Sequence, residues 1–288
     1  MLALGLSGPA AAQEPACFGA AARDAEAPCT NPTRTVTPSL EVARTLPNSP
    51  CNSISLGPPA VCHFGPGGSE TVALVGDSHV GHWRAAFAHV AAARSWSGVS
   101  LTRTSCPLQK ALRDLREPRR TECARWKDEV FAWLAAHPEI RTVFVAGLSG
   151  GTGVVPRPGE SRFAASVRGY RDAWAALGDR RVIVLRDTPR FRGDTDTCIR
   201  RALRRDRVPG PTCAVPRSFA LARDPAVRAA RDTGREVLDL TPFFCDHRCY
   251  PVIGGALVVR DANHMTGTYS QTLGPYVSRA LTGSRPPT

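Results

Sequence analysis

Lysine is nearly missing from this chain: of 37 basic residues, all but Lys110 and Lys127 are arginine. The net charge of +12 therefore rests on arginines scattered among much Ala, Gly and Pro, a usage that fits a GC-rich coding bias at least as well as a polyanionic partner. No nucleic acid is expected. The densest basic cluster, Arg200, Arg201, Arg204, Arg205 and Arg207, is interrupted by Asp206 and reads first as a solvated helix face. Its functional alternative is attraction to an anionic cell-wall or polysaccharide surface. Long apolar runs are also lacking. Beyond the first residues none approaches the roughly 20 needed to span a bilayer. Internal repeats and low-complexity tracts are absent, and asparagine does not occur between Asn52 and Asn263. With 42% hydrophobic and 22% charged residues the composition is that of a globular protein, so disorder is not indicated.

Cysteine is well represented. The ten residues form close sequential pairs: Cys17 with Cys29, Cys51 with Cys62, Cys106 with Cys123, Cys198 with Cys213, Cys245 with Cys249. Such a pattern suits five disulfides in an oxidising compartment. Closing a loop of the Cys198–Cys213 kind contributes about 3 kcal/mol in the chain-entropy account. A zinc site at Cys245-Asp246-His247-Arg248-Cys249 is the competing reading and ranks lower, because no second ligand pair of matching spacing stands nearby. No metal or cofactor is expected. The start, residues 1–12, resembles the end of a secretory signal, with Ala10-x-Ala12 before Gln13 but no basic n-region. A secreted or extracytoplasmic location follows, in the periplasm or cell envelope.

Residues 13–69 are rich in Pro, Ala, Ser and Cys and read as an irregular, disulfide-stapled extension, with Thr37-Pro38-Ser39-Leu40-Glu41-Val42-Ala43 beginning one short helix. From residue 70 to 288 the pattern alternates. Strands at Val72–Val75, Val99–Thr104, Thr142–Ala146, Val182–Leu185 and Glu236–Leu240 are separated by helices at Val80–Arg94, Trp126–Ala135, Phe163–Leu177, Cys198–Arg205 and Pro225–Thr233. Five strands separated by helices predict a three-layer α/β/α domain on a doubly wound parallel sheet. A hairpin over Val252–Val259 and a closing helix over Thr268–Leu281 complete it.

In such sheets ligands bind at the carboxyl ends of the strands, where the strand order reverses. The first strand ends there in Gly76-Asp77-Ser78-His79, followed by Trp83, Phe87 and Val90 at helical spacing. This strand–turn–helix passage puts the Ser78 hydroxyl at the sheet edge and its N–H at the start of a helix. A serine needs a positioned base to act as nucleophile. Asp261-Ala262-Asn263-His264 supplies one: three positions apart and within one turn, Asp261 can hold one imidazole nitrogen of His264 while the other faces Ser78. Asp77 suits an N-cap as well as an orienting role. His79 and His82 are read as lining residues, Trp83 as core or pocket wall, and Asn263 as shaping the turn.

Gly76-Asp77-Ser78-His79 and Asp261-Ala262-Asn263-His264 resemble the first and last blocks of the SGNH (GDSL-like) hydrolase superfamily. The run Ala73–Trp83, with Thr104-Ser105-Cys106-Pro107, Asp187-Thr188-Pro189, Asp261–Thr266 and the paired cysteines, is similar in particular to the extracytoplasmic SGNH domains that accompany acyltransferase-3 membrane proteins and O-acetylate cell-surface glycans. The resemblance spans roughly residues 30 to 282 and implies a flavodoxin-like SGNH fold, with Ser78, Asp261 and His264 as a catalytic triad. The third-block Asn of SGNH esterases has no counterpart, since its region reads Ala146-Gly147-Leu148-Ser149-Gly150-Gly151. The oxyanion hole is then expected from the Ser78 N–H together with the N–H near Ser105 or Gly147, or the Ser149 hydroxyl. Loss of one donor costs about 10²–10³ in rate. That weighs against efficient ester hydrolysis and leaves acyl transfer open, in a group that often lacks this Asn.

The function this implies is extracytoplasmic O-acetyl transfer to a cell-envelope polysaccharide or peptidoglycan through an acyl-serine. The acyl donor would be delivered by a separate acyltransferase-3 membrane protein. The alternatives are a secreted carbohydrate or lipid esterase acting on small acyl esters, and an inactive glycan-binding module.

Overall fold

The computed structural model describes residues 17–31, 33–47, 52–53, 58–150 and 153–283. After a short helix α1 (Leu40–Thr45), the strands β1 (Asn52–Ser53), β2 (Val61–Phe64), β3 (Glu70–Gly76), β4 (Trp96–Arg103), β5 (Ile140–Ala146), β6 (Arg181–Leu185) and β7 (Glu236–Leu238) join in one sheet, and shorter strands form two small antiparallel pairs. The five main strands of the sheet run parallel in the order β4-β3-β5-β6-β7. The first of them therefore lies between the second and the third, and the reversal of order falls beside the carboxyl end of β3. The short β1 pairs parallel to β4 and β2 antiparallel to it, so two segments of the Pro-rich stretch extend the sheet.

β3 is buried on both faces, as strands sandwiched between helical layers are. Val72 and Leu74 point to one side with Phe144 and Ile183, against Phe87 and Val90 of α3 (Arg84–Arg94) and Val277 and Leu281 of the last helix, Gly274–Gly283. Ala73 and Val75 point to the other with Val143 and Val184, against Trp126 and Val130 of a helix over Arg119–Ala136 and Trp174 of one over Arg162–Ala175. Burial of each such large side chain contributes about 1.5–3 kcal/mol. This is the α/β/α layering that the alternation predicts.

The expected Val80–Arg94 helix is two pieces, α2 (Ser78–Gly81) and α3. Trp83 N–H bonds back only three residues, to the Val80 carbonyl, which tightens the turn where they meet. The closing helix is likewise divided, into Gly267–Thr272 and Gly274–Gly283. The hairpin pairs Val252–Ile253 with Ala256–Leu257.

Disulfides join Cys17 to Cys29, Cys106 to Cys123, Cys198 to Cys213 and Cys245 to Cys249. The bond between Cys245 and Cys249 removes both thiolates from the alternative zinc site. Cys51, the expected partner of Cys62, lies outside the described residues, as do residues 1–12 with their signal-like pattern. The N-terminal segment is tied to the domain: Ala20 N–H donates to Thr272 Oγ1 (3.0 Å), Asn31 Nδ2 to the Gly254 carbonyl (2.9 Å), and Leu40 and Ala43 pack on Ile199 and Ala202.

Candidate functional site

The site is built where β3 stops. Gly76 ends the strand with its Cα so close to β5 that a Cβ there would lie 2.5 Å from the Ala146 carbonyl oxygen. Only glycine fits. Asp77 then turns the chain, and its Oδ1 accepts the His79 N–H (2.8 Å), capping α2. Its Oδ2 accepts the Leu148 N–H from the loop after β5 (3.1 Å). Asp77 thus caps the helix and also stitches the serine turn to its neighbour. Burial, which outweighs the His79 charge and these N–H donors, raises its carboxyl above the usual range.

Ser78 begins α2, and its N–H is one of those for which a helix has no internal acceptor. Its Oγ lies 2.8 Å from His264 Nε2, across 186 residues of chain. His264 Nδ1 lies 2.8 Å from Asp261 Oδ2, while Asp261 Oδ1 accepts the N–H groups of Asn263 (2.9 Å) and His264 (2.8 Å). An ionised carboxylate only accepts, so the imidazole proton belongs on Nδ1 and the Nε2 lone pair faces Ser78. Burial works against the Asp261 charge, but the His264 hydrogen bond and the two N–H donors prevail and hold its carboxyl down at about 2. Ser78, His264 and Asp261 form one hydrogen-bonded chain.

The loop that carries Asp261 and His264 is fixed at both ends. Arg260 N–H bonds the His264 carbonyl (3.0 Å), the Arg260 guanidinium reaches the Leu46 and Arg44 carbonyls, and Thr266 caps the following helix through Tyr269 N–H. The fully buried Met265 donates its N–H to His82 Nδ1 at 3.4 Å. Burial, and then the nearby charge of His79, drives the His82 pKa well below its ordinary value, so His82 is a neutral acceptor.

Sequence reasoning missed a second pair. His79, read as a lining residue, places Nδ1 2.6 Å from Asp187 Oδ1 at the end of β6. Thr188 N–H also reaches that oxygen (2.8 Å), and Asp187 Oδ2 accepts both the N–H (2.7 Å) and the hydroxyl (2.8 Å) of Ser149. Burial opposes the His79 charge; the Asp187 carboxylate, by charge and hydrogen bond, overcomes it and lifts His79 to about 9. The Asp-Thr-Pro run at the end of a strand was the available signal.

Of the residues expected around an oxyanion, Ser149 has both donors engaged by Asp187, so neither its hydroxyl nor its N–H is free for a substrate. Ser105 follows the carboxyl end of β4 in the left-handed region (φ 61°), its carbonyl held by Arg113 and its hydroxyl by Arg119. Gly147 is wedged at the end of β5, where a Cβ would meet Tyr170 Oη at 2.5 Å and Pro107 at 2.8 Å. Beside these residues lies a small pocket of about 120 Å³ lined by Ser149, Thr188, Arg190 and Asn263 among others.

This chain belongs to the family of the SGNH domain (fused to AT3 domains), whose match covers residues 48–279. That places it among proteins of the acyl-transfer and ester-cleaving kind. Among solved structures it is similar to the periplasmic domain of a lipopolysaccharide acetyltransferase of Salmonella ser. Paratyphi A, at 14% identity and a TM-score of 0.57 over 75% of this chain and 84% of that one. At that identity the likeness concerns the fold. No curated protein matches the chain.

Proposed function

We propose that the protein is an extracytoplasmic O-acyltransferase that moves an acetyl group through Ser78 to a hydroxyl of a cell-envelope glycan. The hydrogen-bonded chain Ser78–His264–Asp261 at the carboxyl edge of the sheet carries this reading. His264 Nε2 takes the Ser78 proton as Oγ attacks the acetyl carbonyl carbon, and Asp261 holds the imidazole in the tautomer that can do so. The tetrahedral oxyanion is met by the Ser78 N–H and by main-chain N–H groups at the adjacent strand ends, Gly147 or Ser105. His264 returns the proton to the leaving group as it departs. The acceptor hydroxyl then attacks the acyl-serine, His264 takes its proton, and Ser78 regains one on release.

Disulfides favour an oxidising compartment. Among the described residues no helix is long and apolar enough to cross a membrane. Acetyl groups would come from an acyltransferase-3 membrane domain or partner, as the family's fusions suggest.

The test is a pulse of aryl acetate followed by intact-protein mass. One acetyl group should appear on the wild-type chain and none on Ser78→Ala. Adding an acceptor oligosaccharide should then release the label as sugar ester in preference to free acetate. Full aryl acetate turnover by Ser78→Ala would overturn the assignment.

A further inference from the structure

Next to the small pocket, and sharing Ala222 with it, lies a larger cleft of about 410 Å³ between the ends of β6 and a helix over Pro225–Asp232. The smaller pocket ends on Asn263, the residue before His264, while Arg186 in the wall of the cleft directly precedes Asp187 in the wall of the pocket. The two depressions adjoin through Ala222, and the smaller one reaches the loop that carries His264.

The lining of the cleft is cationic. Arg186, Arg223, Arg228 and Arg231 surround it, and Arg190 stands in the pocket beside it. Arg186 is paired with Asp239 (3.0 Å) and Arg228 with Asp232 (2.7 Å). Among the described residues, Arg190, Arg223 and Arg231 have no carboxylate within ion-pair distance. The one acid in the wall, Asp224, turns its carboxylate inward: Oδ2 accepts the Asp187 N–H and Oδ1 those of Ala226 and Val227. It offers little charge to the opening. Arg223 is stacked on Phe163, with its guanidinium carbon 4.2 Å from the ring centroid. Such stacking restricts the side chain in advance and leaves the edge N–H groups free for a planar or tetrahedral anion.

We propose that this cleft holds an anionic saccharide, the acyl acceptor carrying carboxylate or phosphate groups that the unpaired arginines grip while one of its hydroxyls enters the small pocket toward Ser78. The proposal rests on the acyl-transfer reading for the identity of the occupant as acceptor. A nucleic acid fits less well, because single strands are held by stacking bases on aromatic faces and Arg223 already covers Phe163.

Binding is measured by fluorescence anisotropy with the full chain and three labelled probes: an oligogalacturonate, a glycerol-phosphate oligomer and the neutral maltohexaose. At least one anionic probe should bind roughly tenfold or more tightly than maltohexaose and weaken as salt is added. Which anionic probe binds tells carboxylate from phosphate. The double variant Arg223→Gln/Arg231→Gln should weaken that probe roughly tenfold, and Arg201→Gln/Arg204→Gln, in the separate basic cluster, should leave it unaffected. The inference is overturned if maltohexaose binds as tightly as both anionic probes, if the cleft variant binds like wild type, if both double variants weaken binding alike, or if a single-stranded oligonucleotide competes as well as the saccharide. Should the cleft variant not fold, the wild-type comparison of charged with neutral probe still decides. Binding is repeated with Ser78→Ala, which needs no turnover. Discrimination that persists while Ser78 proves non-essential removes the acyl-transfer reading but keeps the cleft; the converse removes the cleft alone.

Discussion

Two histidine–aspartate pairs stand beside the Ser78 turn, and they differ less in chemistry than in burial. His79 and Asp187 meet at 2.6 Å with side chains 1% and 4% exposed; His264 and Asp261 meet at 2.8 Å with side chains 28% and 47% exposed. The two imidazole rings are only 5.2 Å apart. In the buried pair both carboxylate oxygens are saturated, by His79, Thr188 and Ser149, and the charge of Asp187 keeps His79 protonated well past neutrality. A histidine locked as a cation has no lone pair to offer. In the outer pair Asp261 is anchored by its own loop and the far nitrogen of His264 is turned to a hydroxyl. The same two residue types thus make a clamp in one place and, under the proposed mechanism, a proton shuttle in the other.

The sharpest way to break that contrast is at the outer pair. Asp261→Asn keeps the shape of the loop but presents an amide to Nδ1, which favours the tautomer that turns an N–H toward Ser78. A fall in kcat for aryl acetate of roughly 10³–10⁴ is expected, with KM little changed. A loss below tenfold would show that Asp261 only shapes its loop.

At the inner pair the expected effect is on stability. Asp187→Asn leaves a buried imidazole without its counter-charge and should cost about 3–5 kcal/mol in urea unfolding at neutral pH. The pH dependence gives a second readout. Because the folded His79 pKa, about 9, lies above the unfolded value, its contribution is complete below about pH 6.5 and is lost as pH rises through 9. The wild-type chain should lose on the order of 3 kcal/mol across that window from this group, and Asp187→Asn should not. Equal slopes for the two proteins would mean that the pair is not the clamp described.

The outer pair was legible in the sequence and the inner one was not. Asp261 and His264 lie within one turn of chain, and a serine at a strand-to-helix turn calls for a base, so local spacing and chemical need pointed to the same residues. His79 and Asp187 are 108 residues apart. Their meeting depends on the lateral order of the sheet: β5 separates β3 from β6, and its trailing loop carries Ser149 between them. Alternation of apolar runs reveals strands, not their neighbours. β2 escaped for a different reason. Four residues in a Pro-rich stretch are too short for periodicity to register, and they become a strand only because the edge of β4 is there to pair with. The division of the Val80–Arg94 helix was hidden too, since Gly81, His82 and Trp83 continue the helical spacing while the hydrogen bonding tightens beneath it.

Ser149 tests the contrast most finely, because it lies in the loop after β5, where an oxyanion donor was expected, and is hydrogen-bonded to the clamp. Ser149→Ala removes one of the two donors that Ser149 gives Asp187 Oδ2 and leaves its N–H in place. If the residue serves the clamp, stability should fall by about 1.5–3 kcal/mol, as for a hydrogen bond to a charged group, and kcat should stay within roughly tenfold of wild type. If instead its hydroxyl swings to the oxyanion during turnover, kcat should fall by about 10²–10³ with stability changed no more than that. The first outcome leaves the oxyanion to main-chain N–H groups at the ends of β3, β4 and β5. That arrangement would give this chain a physical route around the absent third-block asparagine, because N–H groups held by strand ends need no side chain to replace it.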